Sequence, residues 1–198
     1  KEESHFLTCD NPYFQLIHRA INRCVDVREE FDRGEHNTKE VDWPILQHIK
    51  DNYEVFKDKK KLIDFNDMIE RLIEEKHKIP EFDVVFIDEA QDLSPLQWKL
   101  YDVLKTKAKD IYLAGDDDQA IFAWAGADVK RFIEEPAKEK VLKYSKRIAR
   151  SIQEQSEACV ENIIGSRKEK KYYPRNHDGI CEEIANLDQV DLSEGKWL

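Results

Sequence analysis

The sequence lacks a phosphate-binding loop of the form G-x-x-x-x-G-K-[ST]. Glycine is scarce, and the one Gly-Lys pair, Gly195-Lys196, has Trp197 after it and Val190 where the first glycine would stand. This absence excludes a complete phosphate-binding loop of that form within the 198 residues. Since the chain also begins with Lys1 instead of Met, we expect it to be an excerpt from a larger protein.

Cysteine and long apolar runs are also scarce. The four cysteines, Cys9, Cys24, Cys159 and Cys181, show no C-x-x-C spacing, which argues against a zinc site and favours reduced thiols. There is no apolar run of about 18 residues, and the charged N-terminal residues do not lead into a signal peptide. We therefore expect a cytoplasmic protein without a membrane span.

A basic surplus is absent as well, because 42 acidic residues outnumber 32 basic ones and give a net charge of −10. A free-standing nucleic-acid-binding domain usually carries a basic face, so the charge argues against that class. The charge is compatible with a fragment whose carboxylates bind a metal ion while its nucleic-acid-binding surface lies partly elsewhere.

The N-terminal third of the sequence carries helical patterns. A first helix is predicted to start at Asn11-Pro12, whereas residues 28–40 are charged and aperiodic, which predicts a loop. Asp42 is expected to cap a second helix, and the basic run of residues 57–61 is expected to separate it from a third helix capped by Asp64. The apolar stripe predicted for the third helix consists of Phe65, Met68, Ile69, Leu72 and Ile73.

The pattern changes after Pro80 and predicts a parallel sheet. Residues 82–87 are almost continuously apolar, as expected for a strand that is buried on both faces. Ser94 and Gln97 form a capping box that begins a helix, and residues 110–114 read as the next buried strand. Because a strand, a helix and a strand in this order form a βαβ unit, the fold class is predicted to be α/β.

The C-terminal region predicts a hinge followed by further elements. Residues 136–140 read as the hinge and residues 141–144 as a short strand. A helix is expected from about Ala149 to Gly165, and residues 179–187 read as another strand. Three side chains of that helix are expected to face inward, namely Ile152, Cys159 and Ile163.

Two apolar runs end in clusters of carboxylates. Residues 84–92 end in D-E-A-Q-D, and residues 113–128 contain G-D-D-D-Q directly after the second predicted strand. Asp88 suits a magnesium ligand, since Mg²⁺ takes one or two carboxylates besides waters and phosphate oxygens. Glu89 can accept a proton from an attacking water. The alternative, that Asp88, Glu89 and Asp92 are ordinary loop carboxylates, is disfavoured by the apolar run before them and by the second cluster.

The second acidic cluster also invites comparison with a calcium-binding loop. With Asp116 as its first position, an EF-hand loop would need Gly at Ile121 and Glu at Ala127, so that interpretation fails. A turn at a strand end near bound phosphate fits better. Gln119 has an amide that can both donate to a phosphate oxygen and orient a water molecule.

Two aromatic residues, Phe122 and Trp124, follow this turn. A nucleobase can stack on such a ring with about 1–3 kcal/mol per base. The alternative is that both rings belong to the core. The small residues around them leave space beside the rings, which favours Trp124 as the stacking residue.

The motifs together resemble the UvrD/Rep family of superfamily 1 DNA helicases. Residues 88–92 match the family's Walker B motif, and residues 115–127 resemble its third motif, G-D-D-D-Q-S-I-Y-R-W-R-G-A. Residues 62–68 resemble the L-x-D-F-x-D-L segment, and residues 145–150 are similar to the fourth motif, S-Y-R-x-P. The resemblance covers roughly residues 60–170.

The resemblance implies a role for each residue of a nucleotide site. Asp88 would help to hold Mg²⁺, and Glu89 would be the catalytic base. Gln91 and Gln119 would sense the γ-phosphate of ATP. Arg147 would reach that phosphate from a second motor domain.

The resemblance also implies a DNA site. Trp124 would stack on single-stranded DNA, and Phe122 would line the same region. The chain departs from the family at Ala123 and Ala125, where the family often has Arg, and at Lys146, where it has an aromatic residue.

The implied architecture is a fragment of a P-loop NTPase with RecA-like parallel sheets. Residues 1–77 would be a helical insertion, residues 78–137 the later part of the first motor domain, and residues 138–198 the start of the second. The implied function is ATP-dependent translocation on single-stranded DNA and duplex unwinding in DNA repair or replication. A helicase-nuclease subunit and a non-catalytic adaptor remain alternatives. The isolated chain is expected to be inactive as an ATPase, because it lacks the phosphate-binding loop.

Overall fold

The structure is a computed structural model that describes residues 11–34, 41–163, 165 and 167–181. It divides into two compact units, with the boundary between Glu135 and Pro136. Most of the strand expected over residues 179–187 lies outside the described residues. In the part of the chain that is described, no helix combines the length and the apolar character needed to cross a membrane.

The first unit begins with four helices. These are α1 (Pro12–Arg23), α2 (Val27–Asp32), α3 (Trp43–Lys60) and α4 (Phe65–Glu74). The predicted caps are confirmed, since Asn11, Asp42 and Asp64 each accept a hydrogen bond from a backbone N–H in the first turn of α1, α3 and α4, respectively. The core between α1, α2 and α3 is apolar and consists of Leu16, Ile17, Ala20, Val27, Val41 and Leu46.

The prediction of a loop over residues 28–40 is wrong for its first part, because α2 occupies it. Asp26 caps this helix by accepting the N–H of Arg28 at 2.7 Å. Its buried face carries the fully buried Glu30 next to Val27. A helix that buries a paired charge shows no apolar stripe, which explains why the sequence pattern missed it.

The basic run of residues 57–61 does not separate two helices as expected, since α3 continues to Lys60. Lys57 is buried, and its Nζ donates to Asp64 at 3.1 Å and to Asp67 at 2.8 Å. Asp64 and Asp67 also form the capping box of α4. Lys57 therefore joins the end of α3 to the start of α4.

The apolar stripe of α4 is not a core face in this structure. None of its residues is fully buried, and Phe65 is 83% exposed. The helix is stabilised instead by its capping box and by the ion pairs of Lys57.

A βαβ unit follows, as the sequence predicts. Strand β1 (Phe82–Ile87) pairs in parallel with β2 (Ala108–Leu113), and α5 (Pro95–Lys105) connects them. The capping box of Ser94 and Gln97 is present, since each side chain accepts the other residue's backbone N–H. The α/β fold class is thus confirmed at this level.

The expectation that both faces of the strands are buried is wrong. Within the described residues the sheet has two strands, and Phe86 stacks on Tyr112 on an open face, with Phe86 77% exposed. Two strands with one connecting helix bury one face only. Helix α6 (Val129–Glu134) completes the first unit.

The second unit contains one helix in its described part, α7 (Arg150–Val160). The strand expected over residues 141–144 is reduced to one bridge between Tyr144 and Tyr173. The helix ends at Val160, before Gly165, and the three side chains expected to face inward, Ile152, Cys159 and Ile163, are exposed. Among the described residues of this unit, Ala149 alone is a buried apolar residue, so these residues do not form a core that the three side chains could face.

Candidate functional site

The two acidic segments lie side by side because they follow neighbouring parallel strands. The backbone pairing continues past the strands, with Ala114 N–H donating to Ile87 O at 2.8 Å and Ala90 N–H donating to Ala114 O at 2.9 Å. The turn that starts at Asp88 therefore lies next to the turn that starts at Gly115. This is the edge of the sheet at which the sequence predicts a site.

Glu89 has an unusual backbone. Its φ is 51°, in the left-handed region that non-glycine residues seldom adopt. The carboxylate of Asp88 stabilises this turn by accepting the N–H of Glu89 at 3.0 Å. Both side chains are exposed. Such backbone conformations are common at functional sites, where they fix the direction of a side chain.

Gln91 connects the two acidic turns. It is 1% exposed, and its Nε2 donates to Glu89 Oε2 at 2.8 Å and to Asp92 Oδ2 at 3.2 Å. Its Oε1 accepts the N–H of Asp116 at 3.0 Å. The amide thus orients the carboxylate of Glu89 and anchors the second turn at once. The expected role of Gln91 as a γ-phosphate sensor stays a prediction, and this bridging role was not visible in the sequence.

Gly115 is required by the close approach of the two turns. A Cβ at this position would lie 2.6 Å from Gln91 Oε1 and 2.9 Å from Cζ of Phe132. Gln91 Oε1 cannot easily move, because it holds the N–H of Asp116. A glycine directly after a buried-strand pattern was the signal in the sequence for this contact.

Asp92 adds a third carboxylate to the first turn. Its Oδ1 is buried and has no hydrogen-bond partner among the described residues. Burial, together with the negative charge of Glu89, raises the pKa of the Asp92 carboxyl, although the hydrogen bond from Gln91 opposes the shift. The turn is therefore an environment that favours added positive charge or a proton.

The acids fit a magnesium nucleotide better than a protein-bound metal ion. In the described part of the chain, no three His, Cys, Asp or Glu side chains converge as a metal site does. A magnesium ion that accompanies a nucleotide needs one or two carboxylates, because waters and phosphate oxygens fill its other positions. The exposed Asp88 at the end of β1 meets that requirement.

The second turn carries Gln119. Its Nε2 donates to Asp116 Oδ2 at 2.7 Å, and Asp116 Oδ1 accepts the N–H of Asp118 at 3.2 Å. Gln119 is exposed and lies on the same turn that Gln91 anchors. Its place beside the first acidic turn agrees with a role near bound phosphate, which stays a prediction.

The aromatic residues Phe122 and Trp124 lie on the following segment. Their ring centroids are 6.3 Å apart with a tilt of 48°. Trp124 is 65% exposed and Phe122 is 42% exposed, so neither ring is a core side chain. Open aromatic faces of this kind are available for stacking.

Arg147 belongs to the second unit. It is exposed, and its backbone N–H donates to Ser145 Oγ at 3.2 Å. The same hydroxyl accepts the N–H of Ile148 at 2.9 Å, so Ser145 fixes the turn on which Arg147 lies. The role of the Arg147 guanidinium stays a prediction.

Comparison with known proteins identifies the family of this chain. The family model of the UvrD/REP helicase N-terminal domain matches residues 8–140, more than half of the chain. The ATP-dependent DNA helicase PcrA of Staphylococcus aureus is 33% identical over 79 residues, which cover 36% of this chain and 11% of that helicase. PcrA of Staphylococcus epidermidis matches with the same identity and coverage, so the match spans only 11% of the length of these relatives. The chain belongs to the UvrD/REP helicase family.

Proposed function

We propose that the chain is part of an ATP-dependent DNA helicase that couples ATP hydrolysis to translocation on single-stranded DNA and to duplex unwinding. The observation that carries the proposal is the bridge made by Gln91. It ties Glu89, the candidate base, to the turn that leads to Gln119 and Trp124. Membership in the helicase family supports the same conclusion.

The nucleotide part of the proposal concerns the two turns at the ends of β1 and β2. ATP, with Mg²⁺, supplies the phosphoryl group whose transfer to water releases the energy. Asp88 contributes a carboxylate to the metal ion. Glu89 accepts the proton of the attacking water, and the amide of Gln91 holds Glu89 in the orientation for this. The side-chain amide of Gln119 donates a hydrogen bond to a phosphate oxygen or orients the attacking water.

The architecture we propose is that of RecA-like motor domains. Residues 1–77 form a helical insertion, and residues 78–137 form the later part of the first motor domain, including its Walker B acids. Residues 138–198 begin the second motor domain, from which Arg147 stabilises the charge of the phosphoryl group during transfer. A phosphate-binding loop elsewhere in the full-length protein would complete the nucleotide site, so the isolated chain should lack turnover.

The DNA part of the proposal concerns the exposed rings. Single-stranded DNA stacks a base on Trp124, and Phe122 borders the same position. The exposure of both rings supports this. Because the connection from Gln119 to Trp124 is short, binding and hydrolysis of ATP can change the affinity for single-stranded DNA.

The test is the variant Glu89→Gln in the full-length protein. It keeps the shape of the side chain but removes the base, so ATP hydrolysis should fall by roughly 10²-fold or more while nucleotide binding is retained. Glu81→Gln is the control, since Glu81 is an exposed acid at the other end of β1 that pairs with Lys107. A parallel loss of binding and hydrolysis in Glu89→Gln would make Glu89 a structural or metal-holding group. Absence of hydrolysis in the unaltered full-length protein would favour a non-catalytic adaptor.

A further inference from the structure

A buried ion-pair cluster lies between α1 and α2. Glu30 is fully buried, and Arg19 and Arg23 both bond to it. Arg23 Nη1 donates to both carboxylate oxygens, at 2.9 and 3.1 Å, and Arg19 Nε donates to Oε1. Burying such charges contributes little net stability, since apolar residues of similar volume often serve as well. The cluster therefore calls for a reason other than stability.

The same two arginines reach the segment that carries the exposed rings, which we call the aromatic loop (residues 122–126). Arg19 Nη1 donates to the carbonyl oxygen of Trp124 at 3.4 Å, and Arg23 Nη2 donates to that of Ala123 at 3.3 Å. Each guanidinium thus uses some donors on Glu30 and another on the loop. A planar group with five donors in fixed directions is suited to hold two partners in one geometry.

The side-chain stems of the arginines support the loop as well. Gly126 is buried with φ of 101°, and a Cβ there would lie 3.3 Å from Cγ of Arg23 and 3.8 Å from Cγ of Arg19. Gly126 therefore allows the loop to lie directly on α1. The loop is in contact with the two arginines both through hydrogen bonds and through packing.

Besides the two arginines, backbone hydrogen bonds hold the aromatic loop. Those from Ala125 N–H to Phe122 O at 2.9 Å, from Gly126 N–H to Ala123 O at 3.0 Å and from Ala127 N–H to Phe122 O at 3.2 Å set the shape of the turn. The bond from Asp128 N–H to Leu93 O at 2.9 Å anchors the chain directly after the loop, so the arginines are the side chains that anchor Ala123 and Trp124 themselves. Because Trp124 is 65% exposed, packing of its ring contributes little to the position of the loop.

We infer that Arg19 and Arg23, held by the buried Glu30, are positioning residues that fix the aromatic loop and thereby the ring of Trp124. The inference rests on the proposed function, in which Trp124 stacks on a nucleobase of single-stranded DNA. It assigns α1 and α2 a part in DNA binding without requiring that their side chains contact DNA. The ion-pair cluster positions the aromatic loop, because the Glu30 carboxylate sets the direction of both guanidinium groups.

The first experiment is a double-mutant cycle in the full-length protein, with fluorescence anisotropy of labelled oligo(dT) as the measurement. Arg23→Met should weaken binding by roughly 3- to 10-fold, and in the Trp124→Ala background it should have almost no further effect. Arg28→Met is the matched control, because Arg28 forms an exposed pair with Asp32 on α2. That control should leave the affinity unchanged.

Additive effects of Arg23→Met and Trp124→Ala, with a smaller salt dependence in Arg23→Met, would show that Arg23 contacts the DNA backbone itself and would overturn the inference. If Trp124→Ala alone left the affinity unchanged, the stacking role in the proposed function would fail. The affinity of Trp124→Ala alone tests the stacking role, whereas the double-mutant cycle tests whether Arg23 positions the loop. Failure of the one is therefore distinguishable from failure of the other.

The second experiment measures the local stability of the aromatic loop in the absence of DNA. Hydrogen exchange at the amides of Ala125, Gly126 and Ala127 should be faster in Arg23→Met than in the unaltered protein, while Arg28→Met should not change it. Glu30→Gln keeps the shape of the side chain and should give the same effect, which covers the case that Arg23→Met does not fold. Unchanged exchange in the folded variants would overturn the inference whatever their DNA affinity.

Discussion

The replacement of Gln91 by Met should damage both stability and hydrolysis. Methionine has a similar volume and an apolar end, so the change removes the amide with little change in packing. Three hydrogen bonds disappear, those to Glu89, Asp92 and Asp116. The two acidic turns then lose the side chain that joins them.

The expected loss of stability follows from what each partner loses. The Asp116 N–H and the Asp92 carboxylate are partly buried, and leaving such a group without a partner costs about 1–3 kcal/mol. Glu89 is exposed, so water replaces the amide there at little cost. The buried methyl group of Met recovers about 1 kcal/mol. For the two groups together, less the recovery from Met, we expect a net loss of about 1–5 kcal/mol in the free energy of unfolding at neutral pH.

The loss should depend on pH in a defined direction. Burial and the charge of Glu89 raise the pKa of Asp92, and the hydrogen bond from Gln91 opposes that rise. Without Gln91 the pKa of Asp92 in the folded protein rises further. A group with a raised folded pKa contributes stability at low pH and loses it as the pH rises through that pKa. The deficit of Gln91→Met should therefore shrink on acidification.

Urea denaturation at neutral and acidic pH measures the stability, and steady-state kinetics of the full-length protein measures hydrolysis. Because a carboxylate that is displaced by about 1 Å can lose roughly 10²-fold in rate, we expect a fall of that order. Gln97→Met is the control, since it removes an amide from the cap of α5 and should lower stability by about 0.5–2 kcal/mol without changing kcat. Full hydrolytic activity in folded Gln91→Met would refute the bridging role. A fall in kcat with unchanged stability would instead favour direct contact with the γ-phosphate.

Two further predictions concern packing and charge. Gly115→Ala should destabilise the protein by about 1–3 kcal/mol, because the new Cβ meets Gln91 Oε1, and an unchanged denaturation midpoint would contradict the tight contact. Lys57→Met should cost about 3–5 kcal/mol at neutral pH, because it leaves Asp64 and Asp67 without their buried cation. Burial tends to raise the pKa of Asp64, yet hydrogen bonds from the Asp67 backbone and from Lys57 hold it below its usual value, so this stabilisation is present at neutral pH and is lost as the pH falls through the folded pKa. The deficit of Lys57→Met, measured by thermal unfolding, should thus become smaller below about pH 4, and a deficit independent of pH would contradict the assignment.

The elements that the sequence predicted best are those fixed by local chemistry. Asn11, Asp42 and Ser94 are caps whose side chains bond within one turn of the backbone, so their role depends on a few neighbouring residues. The strands were predicted from their apolar runs, and the βαβ order then implied that they are parallel. The caps need only residues within one turn, and the pairing of β1 with β2, although it joins separate parts of the chain, follows from the order of the elements.

The features that the sequence did not predict depend on contacts between one element and another, outside any single helical turn. Glu30 and Lys57 are charged and read as surface residues, yet each is buried by partners that no periodicity reveals. The apolar stripe of α4 and the faces of the strands were expected to be buried, yet they contain exposed residues. Apolar character alone does not show that a neighbouring element covers the residue.

The candidate site was predicted in part. The motifs indicated the position of Glu89, because acids at the carboxyl ends of neighbouring strands need only the order of the elements, whereas the chemistry of the site stays a prediction. The bridge by Gln91 joins two turns that are separate in the sequence, so no local pattern shows it, whereas the glycine after the second apolar run is a local signal for the close contact at Gly115. The contact of Arg19 with the aromatic loop joins residues about a hundred positions apart, and no local pattern could show it.

The central claim is that nucleotide chemistry and the grip on single-stranded DNA are coupled through the turn from Gln119 to Trp124. The most direct measurement is DNA-stimulated ATP hydrolysis by the full-length protein compared with its Trp124→Ala variant. Because Trp124 is 65% exposed, the variant should lose only about 1–2 kcal/mol of stability, whereas its affinity for single-stranded DNA should fall by about 1–3 kcal/mol. We predict that stimulated hydrolysis at saturating DNA falls much more than basal hydrolysis. Unchanged stimulation and unchanged DNA affinity in the folded variant would contradict the claim.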